Sequence, residues 1–185
     1  MRALGAGPGT RVAVAGLGGL GHLAVKLAVA LGAETTVISR SAGKAADATR
    51  LGARELLVSS DPRQLAAARD RFDVVIDTIA VPHDIGPYLR LVALDGTLCQ
   101  VGHLGSVTLE TLDLLVGRKK LTSAGSGGRT GTAAMLDFCA RNGITADVEV
   151  VPSARVNEVL DRLSRNDVRY RFVLDLADLD QEAAS

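Results

Sequence analysis

The sequence has no tryptophan, and only three phenylalanines and two tyrosines among its 185 residues. A core without aromatic bulk has to be built from Val, Leu, Ile and Ala, which suits parallel strands buried on both faces. Cysteine is scarce too. Cys99 and Cys139 lie far apart and form no redox or metal-like pair. That excludes a disulfide scaffold and points to a reducing, cytoplasmic setting. Charge of one sign is lacking: 21 Lys and Arg balance 21 Asp and Glu. Without a basic excess, a general nucleic-acid binder is excluded. No apolar run reaches membrane-spanning length, and Met1–Thr10 has no apolar signal-peptide stretch, so no membrane partner is expected.

Glycine, in contrast, is concentrated. Residues 16 to 21 read Gly16-Leu17-Gly18-Gly19-Leu20-Gly21. Each glycine loses extra backbone entropy on folding, so such a cluster implies something that side chains would obstruct. Gly16, Gly18 and Gly21 form G-x-G-x-x-G. The pattern alone is weak, but its setting strengthens it. Arg11–Ala15 reads as a buried strand, and the apolar stretch from His22 reads as a helix. Strand, glycine turn and helix together make a seat for a dinucleotide pyrophosphate on helix N–H groups. A tight turn without a ligand is the plainer reading of the same residues.

A carboxylate is also missing where it would matter. A ribose with a free 2′-hydroxyl is usually held by Asp or Glu at the end of the second strand. Here that strand runs Val37-Ile38-Ser39-Arg40-Ser41, with Lys44 close behind. Glu34 precedes the strand and Asp47 belongs to the next helix. Two hydroxyls and two cations suit a 2′-phosphate, so the expected cofactor is NADP(H) rather than NAD(H). The alternative is that Ser39-Arg40-Ser41 is only a polar helix cap.

Strand and helix signals alternate along the chain. Strands are expected over Arg11–Ala15, Thr35–Ser39, Glu55–Ser59, Phe72–Asp77, Gly96–Val101 and Lys120–Ala124. Helices are expected over Gly19–Leu31, Gly43–Leu51, Pro62–Asp70, Asp84–Ala93 and Leu109–Val116, with a turn at Asp95-Gly96. Short connections imply right-handed crossovers, hence an α/β Rossmann fold with a doubly wound, six-stranded parallel sheet in the order 3-2-1-4-5-6. Residues 1–127 form this expected dinucleotide-binding domain. Residues 128–185 form an α-β-α-β segment, with helices over Thr132–Arg141 and Ser153–Arg165 and strands over Asp147–Val151 and Tyr170–Leu176. The run Arg118-Lys119-Lys120 reads as a solvated turn.

Several stretches strongly resemble the zinc-dependent medium-chain alcohol dehydrogenases, in particular the cinnamyl-alcohol-dehydrogenase-like branch of NADPH-dependent aldehyde reductases. They are Gly16–His22, Val37-Ile38-Ser39, Asp77-Thr78-Ile79, Gly125-Ser126, Leu136–Ala140, Ile144–Glu149 and the closing Asn166–Val173. The resemblance runs from about Leu4 to Asp175. It implies hydride transfer between NADPH and an aldehyde or primary alcohol, with zinc polarising the substrate oxygen. The family's catalytic domain carries its zinc ligands in a Gly-His-Glu segment and cysteines, and none of these patterns occurs here. Zinc is therefore expected only in a domain outside this chain. Residues 128–185 correspond to the segment that normally completes that GroES-like catalytic domain.

The resemblance also implies site roles. Thr78 falls beside the ribose or pyrophosphate. Val101 and Gly102 lie in the loop after the fifth strand, where ligands bind. Ser123, Gly125 and Ser126 match the stretch whose backbone binds the nicotinamide carboxamide, and Arg171 matches a pyrophosphate-binding arginine. His22, His83, His103, Cys99 and Cys139 do not have the spacing of a metal site. The two cysteines read as inert thiols, and His103 reads as a loop histidine beside the cofactor. No catalytic residue is assigned.

The leading expectation is therefore the cofactor-binding part of an NADP-dependent alcohol dehydrogenase or aldehyde reductase. The alternative is a non-catalytic NADP-binding module or a truncated fragment without turnover. A methyltransferase-like nucleotide domain is disfavoured by the sixth strand. The sheet edge at Lys120–Ala124 is expected to pair with its copy in a homodimer.

Overall fold

The structure is a computed structural model that describes residues 1–102, 105–165, 167–177 and 179. The elements alternate as β1 (Arg11–Ala15), α1 (Gly21–Ala30), β2 (Glu34–Ser39), α2 (Ala45–Arg50), β3 (Glu55–Val58), α3 (Pro62–Ala67), β4 (Phe72–Asp77), α4 (Gly86–Leu89), β5 (Val92–Gln100), α5 (Thr111–Leu115) and β6 (Lys120–Ser123). These six strands make one parallel sheet in the order β3-β2-β1-β4-β5-β6. The chain then continues through α6 (Arg129–Arg141), β7 (Val148–Pro152), α7 (Val156–Ser164) and β8 (Arg171–Asp175).

Composition explains the sheet. Val12, Ala13, Val14 and Ala15 of β1 are all fully buried. Successive side chains point to opposite faces, so both faces of this central strand are covered, as a doubly wound sheet requires. On one face Phe72, Ile85, Leu89, Leu91 and Leu98 pack together with Ala13 and Ala15. The small alanines of β1 make room for these bulky neighbours. Registers align the carboxyl ends of the strands: Ala15 lies opposite Ile38 and Asp77, Asp77 opposite Gln100, and Gln100 opposite Ser123.

Three local expectations change. The helix anticipated over Asp84–Ala93 shrinks to the four residues of α4, because β5 starts at Val92, opposite Phe72. The Asp95-Gly96 turn becomes an irregularity inside β5. Asp95 takes φ 60 there, and the register jumps between Phe72 and Val74. Asp tolerates this left-handed conformation better than most residues. In the basic run Arg118 and Lys120 are solvent-exposed as expected, and Lys119 alone is buried. The Lys119 side chain is 1% exposed and its Nζ donates to Asp70 Oδ1 at 2.6 Å, while Arg118 pairs with Asp95 at 2.6 Å.

The chain divides into two compact units, Met1–Ile144 and Thr145–Ser185. Thus α6 counts with the first unit, where the Arg2 guanidinium lies 4.8 Å over the Phe138 ring. In the second unit β7 and β8 pair in parallel, Val148 opposite Arg171 and Val151 opposite Leu174. Arg162 of α7 ties this unit together. It bonds Glu149 at 2.8 Å and Asp167 at 3.0 Å, and its guanidinium lies 4.6 Å over the Phe172 ring. No helix among the described residues is long and apolar enough to cross a membrane.

Candidate functional site

The site lies at the carboxyl ends of the first unit's strands. Between β1 and α1 the chain turns on Gly16, which has φ 90, a conformation glycine adopts without strain. Gly21 is needed for another reason. A Cβ there would fall on the Gly16 carbonyl oxygen, so the helix start and the strand end touch backbone to backbone. Gly18 differs from both: a Cβ there would meet nothing within 4 Å. Packing within the protein does not demand glycine at that position, whereas a pyrophosphate lying against the backbone does. The N–H groups of Leu17 and Gly18 have no acceptor among the described residues. The loop carbonyl of Gly18 is engaged twice, by the His22 N–H at 3.0 Å and by the fully buried His22 ring Nδ1 at 3.0 Å. Gly19 and Leu20 complete the turn into α1. This cradle fits a dinucleotide.

At the end of β2, Ser39 Oγ accepts from the Ser41 N–H at 3.4 Å and Ser41 Oγ accepts from the Gly43 N–H at 3.1 Å. Ser41 thus caps the short 3-10 turn Ala42–Lys44. Arg40 is exposed and has no carboxylate partner among the described residues. Its backbone is anchored by Ser60, whose Oγ donates to the Arg40 carbonyl at 2.9 Å. Lys44 Nζ donates to the Leu17 carbonyl at 2.8 Å, joining this pocket directly to the glycine loop. Spacing in the sequence gives no sign of the Ser60 or Lys44 contacts, because both are made across strands.

Thr78 follows β4. Its Oγ1 donates to the Ala15 carbonyl at 2.9 Å and lies 3.2 Å from the Gly16 carbonyl, bracing the glycine turn from below. Val101 and Gly102 follow β5, and both their N–H groups reach the Asp77 carbonyl, at 2.8 and 3.1 Å. Ser123 ends β6, and the loop carrying Gly125 and Ser126 is exposed. A cavity of about 290 Å³ opens at the ends of β5 and β6, lined by Ile85, Gln100, Val107, Leu121, Thr122 and Ser123. Residues following or ending β1, β2, β4, β5 and β6 are therefore gathered at the carboxyl end of the sheet. Arg171 opens β8 in the second unit. His103 lies outside the described residues.

No cluster of three or more His, Cys, Asp or Glu able to hold a metal ion occurs among the described residues. His22 and His83 are engaged in hydrogen bonds within the fold. Cys99 is buried, and burial pushes its thiol above the usual range, which makes it a poor nucleophile and ligand near neutral pH. Tyr88 is likewise pushed up by burial. Among the described residues, the glycine cradle fits a dinucleotide and no set of side chains fits a catalytic zinc.

Comparison with known proteins agrees with this geometry. Residues 19–141 match the family described as zinc-binding dehydrogenase, and the chain belongs to that family. It is 47% identical over 178 residues to a probable cinnamyl alcohol dehydrogenase of Zea mays, covering 95% of this chain and 48% of that protein. A cinnamyl alcohol dehydrogenase structure from Sorghum bicolor superposes with TM-score 0.91 at 43% identity, covering 94% of this chain and 50% of that one. The structure of a Helicobacter pylori enzyme of this kind, complexed with NADP(H), superposes with TM-score 0.84 at 31% identity, over 94% and 50% of the two chains. The chain spans about half the length of the relatives it matches.

Proposed function

We propose that this chain is the NADP(H)-binding part of a zinc-type alcohol dehydrogenase or aldehyde reductase acting on an aldehyde or primary alcohol. One observation carries the reading. A glycine cradle left open at Gly18 adjoins a β2 terminus that offers Ser39, Arg40 and Ser41 and no carboxylate. The bound cofactor supplies hydride transfer. This chain's own residues bind and orient it: the loop N–H groups take the pyrophosphate, and Thr78 braces that loop. Arg40, the two serines and Lys44 receive the 2′-phosphate. Backbone at Val101, Gly102, Ser123, Gly125 and Ser126 meets the nicotinamide end. Arg171 is assigned to the pyrophosphate by family resemblance. Two charge-assisted contacts to the 2′-phosphate are worth about a hundredfold preference for NADPH.

Titration of both cofactors by calorimetry tests the reading, and equal affinities for NADPH and NADH would refute it. Ser39→Asp is expected to weaken NADPH. No metal step is assigned to these residues, so the chain alone should show no turnover of aldehydes with NADPH. Zinc-dependent turnover by the purified chain would overturn that assignment. A binding module without catalysis is the second reading. It predicts that NADPH binding is the protein's whole activity.

The reading extends to assembly and location. The four residues of β6 are all exposed at the sheet edge, and Leu112, Leu115 and Val116 stand exposed beside it in sequence. Unpaired strand-edge groups are a template for a second strand, so we assign β6 to a homodimer contact. Sedimentation at micromolar concentration checks this, and a concentration-independent monomer counts against it. A Leu121→Pro variant that stayed dimeric would place the contact elsewhere. The two free thiols support a cytoplasmic location.

A further inference from the structure

Gly16 and Gly102 lean on the same short segment. A Cβ on Gly16 would lie 2.8 Å from Thr78 Oγ1 and 3.2 Å from Ile79 Cγ1, and one on Gly102 would fall on the Ile79 carbonyl. Thr78-Ile79 is thus a shared wall between the glycine loop and the loop after β5. Asp77 holds that wall. Its backbone carbonyl takes the Val101 and Gly102 N–H groups, and its Oδ1 accepts from the Ile79 N–H at 3.0 Å. The side chain of Asp77 is fully buried. A buried carboxyl group in that position needs a hydrogen-bond partner for its second oxygen.

The partner is His83. Its Nε2 lies 2.8 Å from Asp77 Oδ2, and its Nδ1 lies 2.9 Å from the Val81 carbonyl. The ring is 17% exposed and meets Tyr88 edge to face, with centroids 5.5 Å apart. The imidazole therefore has one ring nitrogen within hydrogen-bond distance of each end of the turn from Asp77 to His83, and the tautomer with its proton on Nε2 donates to Asp77. The ring lies beneath the two glycine loops and outside every residue assigned to the cofactor.

We propose that His83 is a positioning residue for the dinucleotide site. By donating from Nε2 to the Asp77 carboxylate, it fixes the Thr78-Ile79 wall against Gly16 and Gly102. The proposal rests on the NADP(H) reading above. Without His83, Asp77 Oδ2 loses its donor, the carboxylate turns, and its hold on the Ile79 N–H loosens. Both glycine loops then lose their common backing.

Three variants of the full chain separate the contacts. In His83→Gln the side-chain amide sits near the place of Nε2 and keeps a donor toward Asp77. In His83→Asn the amide sits near the place of Nδ1 and keeps a donor only toward Val81. His83→Ala keeps neither. By calorimetry, His83→Ala and His83→Asn should lose about tenfold or more in NADPH affinity, as expected when a buried acceptor loses its donor. His83→Gln should stay within about threefold of wild type. Amide hydrogen exchange of the free protein gives a readout that needs no cofactor. Ile79 and Gly102 should exchange faster in His83→Ala and His83→Asn, while the Ser59 amide beside β2 is unchanged. Wild-type affinity in His83→Asn with loss in His83→Gln overturns the proposal, as does unaltered exchange at Ile79 and Gly102. Wild-type protein that binds no NADPH overturns the cofactor reading instead, and the exchange pattern still decides whether His83 holds this wall.

Discussion

The two units bury their apolar residues very differently. In Met1–Ile144 the strands at the centre of the sheet are sealed on both faces, with Val12, Val14, Val37 and Val75 all at 0% exposure. In Thr145–Ser185, by contrast, Val148 and Val150 of β7 are 44% and 62% exposed, and Leu160 and Leu163 of α7 are 56% and 42% exposed. Phe172 and Leu174 are half-buried, Phe172 under the Arg162 guanidinium. The difference follows from strand number. A six-stranded sheet with helices on both faces can bury whole residues. Two strands and one helix leave most of theirs in water, and a two-stranded sheet is marginal by itself. In the second unit, Arg162 of α7 links the helix to Glu149 of β7, to Asp167 and to the Phe172 ring of β8.

The largest effect should come from separating the units. Met1–Ile144 is expected to melt cooperatively by circular dichroism, and Thr145–Ser185 alone to show no cooperative transition. A folded, cooperatively melting second unit would break the comparison. Next come single side chains. Phe72 is 1% exposed, so Phe72→Ala should cost about 3–5 kcal/mol in urea unfolding. Leu160→Ala in the second unit should change stability by about 0.5 kcal/mol or less, as at ordinary surface positions. Equal losses at the two sites would contradict the burial contrast.

The glycine loop makes the same distinction between packed and open ground within the first unit. Gly21→Ala drives a methyl group onto the Gly16 carbonyl and should cost about 1–3 kcal/mol, measured by denaturant melts. Gly18→Ala meets open space and should leave stability nearly unchanged while weakening NADPH binding. Stability loss at Gly18 without loss of binding would show that the cradle serves packing alone.

The smallest effect is expected in acid. Asp73 lies below its ordinary value of 3.8, mainly through the Arg11 side-chain hydrogen bond, and Glu149 lies below 4.5, mainly through the Arg169 backbone N–H. A lowered carboxylate adds stability above its unfolded value and loses it as pH falls through the folded value. Both pairs are solvent-screened, so each contribution is small. Stability should decline as pH drops below about 4, and Asp73→Asn should flatten part of that decline. An Asp73→Asn protein with an unchanged acid profile would remove this pair from the account.

Much of the first unit was legible from local pattern. The bounds of β1 and β4 match their apolar runs, and the sheet order follows from alternation and crossover handedness. The glycine spacing marked the loop proposed to hold the cofactor, and the missing acid after Ile38 set the cofactor expectation. These signals are short-range: each rests on residues within a few turns of one another. Elements that depend on distant partners were not legible. The start of β5 at Val92 requires Phe72 as its neighbour, and the burial of Lys119 requires Asp70.

The sequence by itself therefore determined the succession of strand, glycine turn and helix, the apolar composition that buries a parallel sheet, and the chemistry offered to a dinucleotide. Tertiary structure alone decided what stands behind that chemistry. It joined Lys44 to the Leu17 carbonyl, Ser60 to the backbone of Arg40, and His83 to Asp77. It also drew the boundary between the units after Ile144. The physical reason lies in range. Backbone conformation and apolar periodicity are written between near neighbours, whereas a buried polar group takes whichever partner the folded chain brings within 3 Å of it.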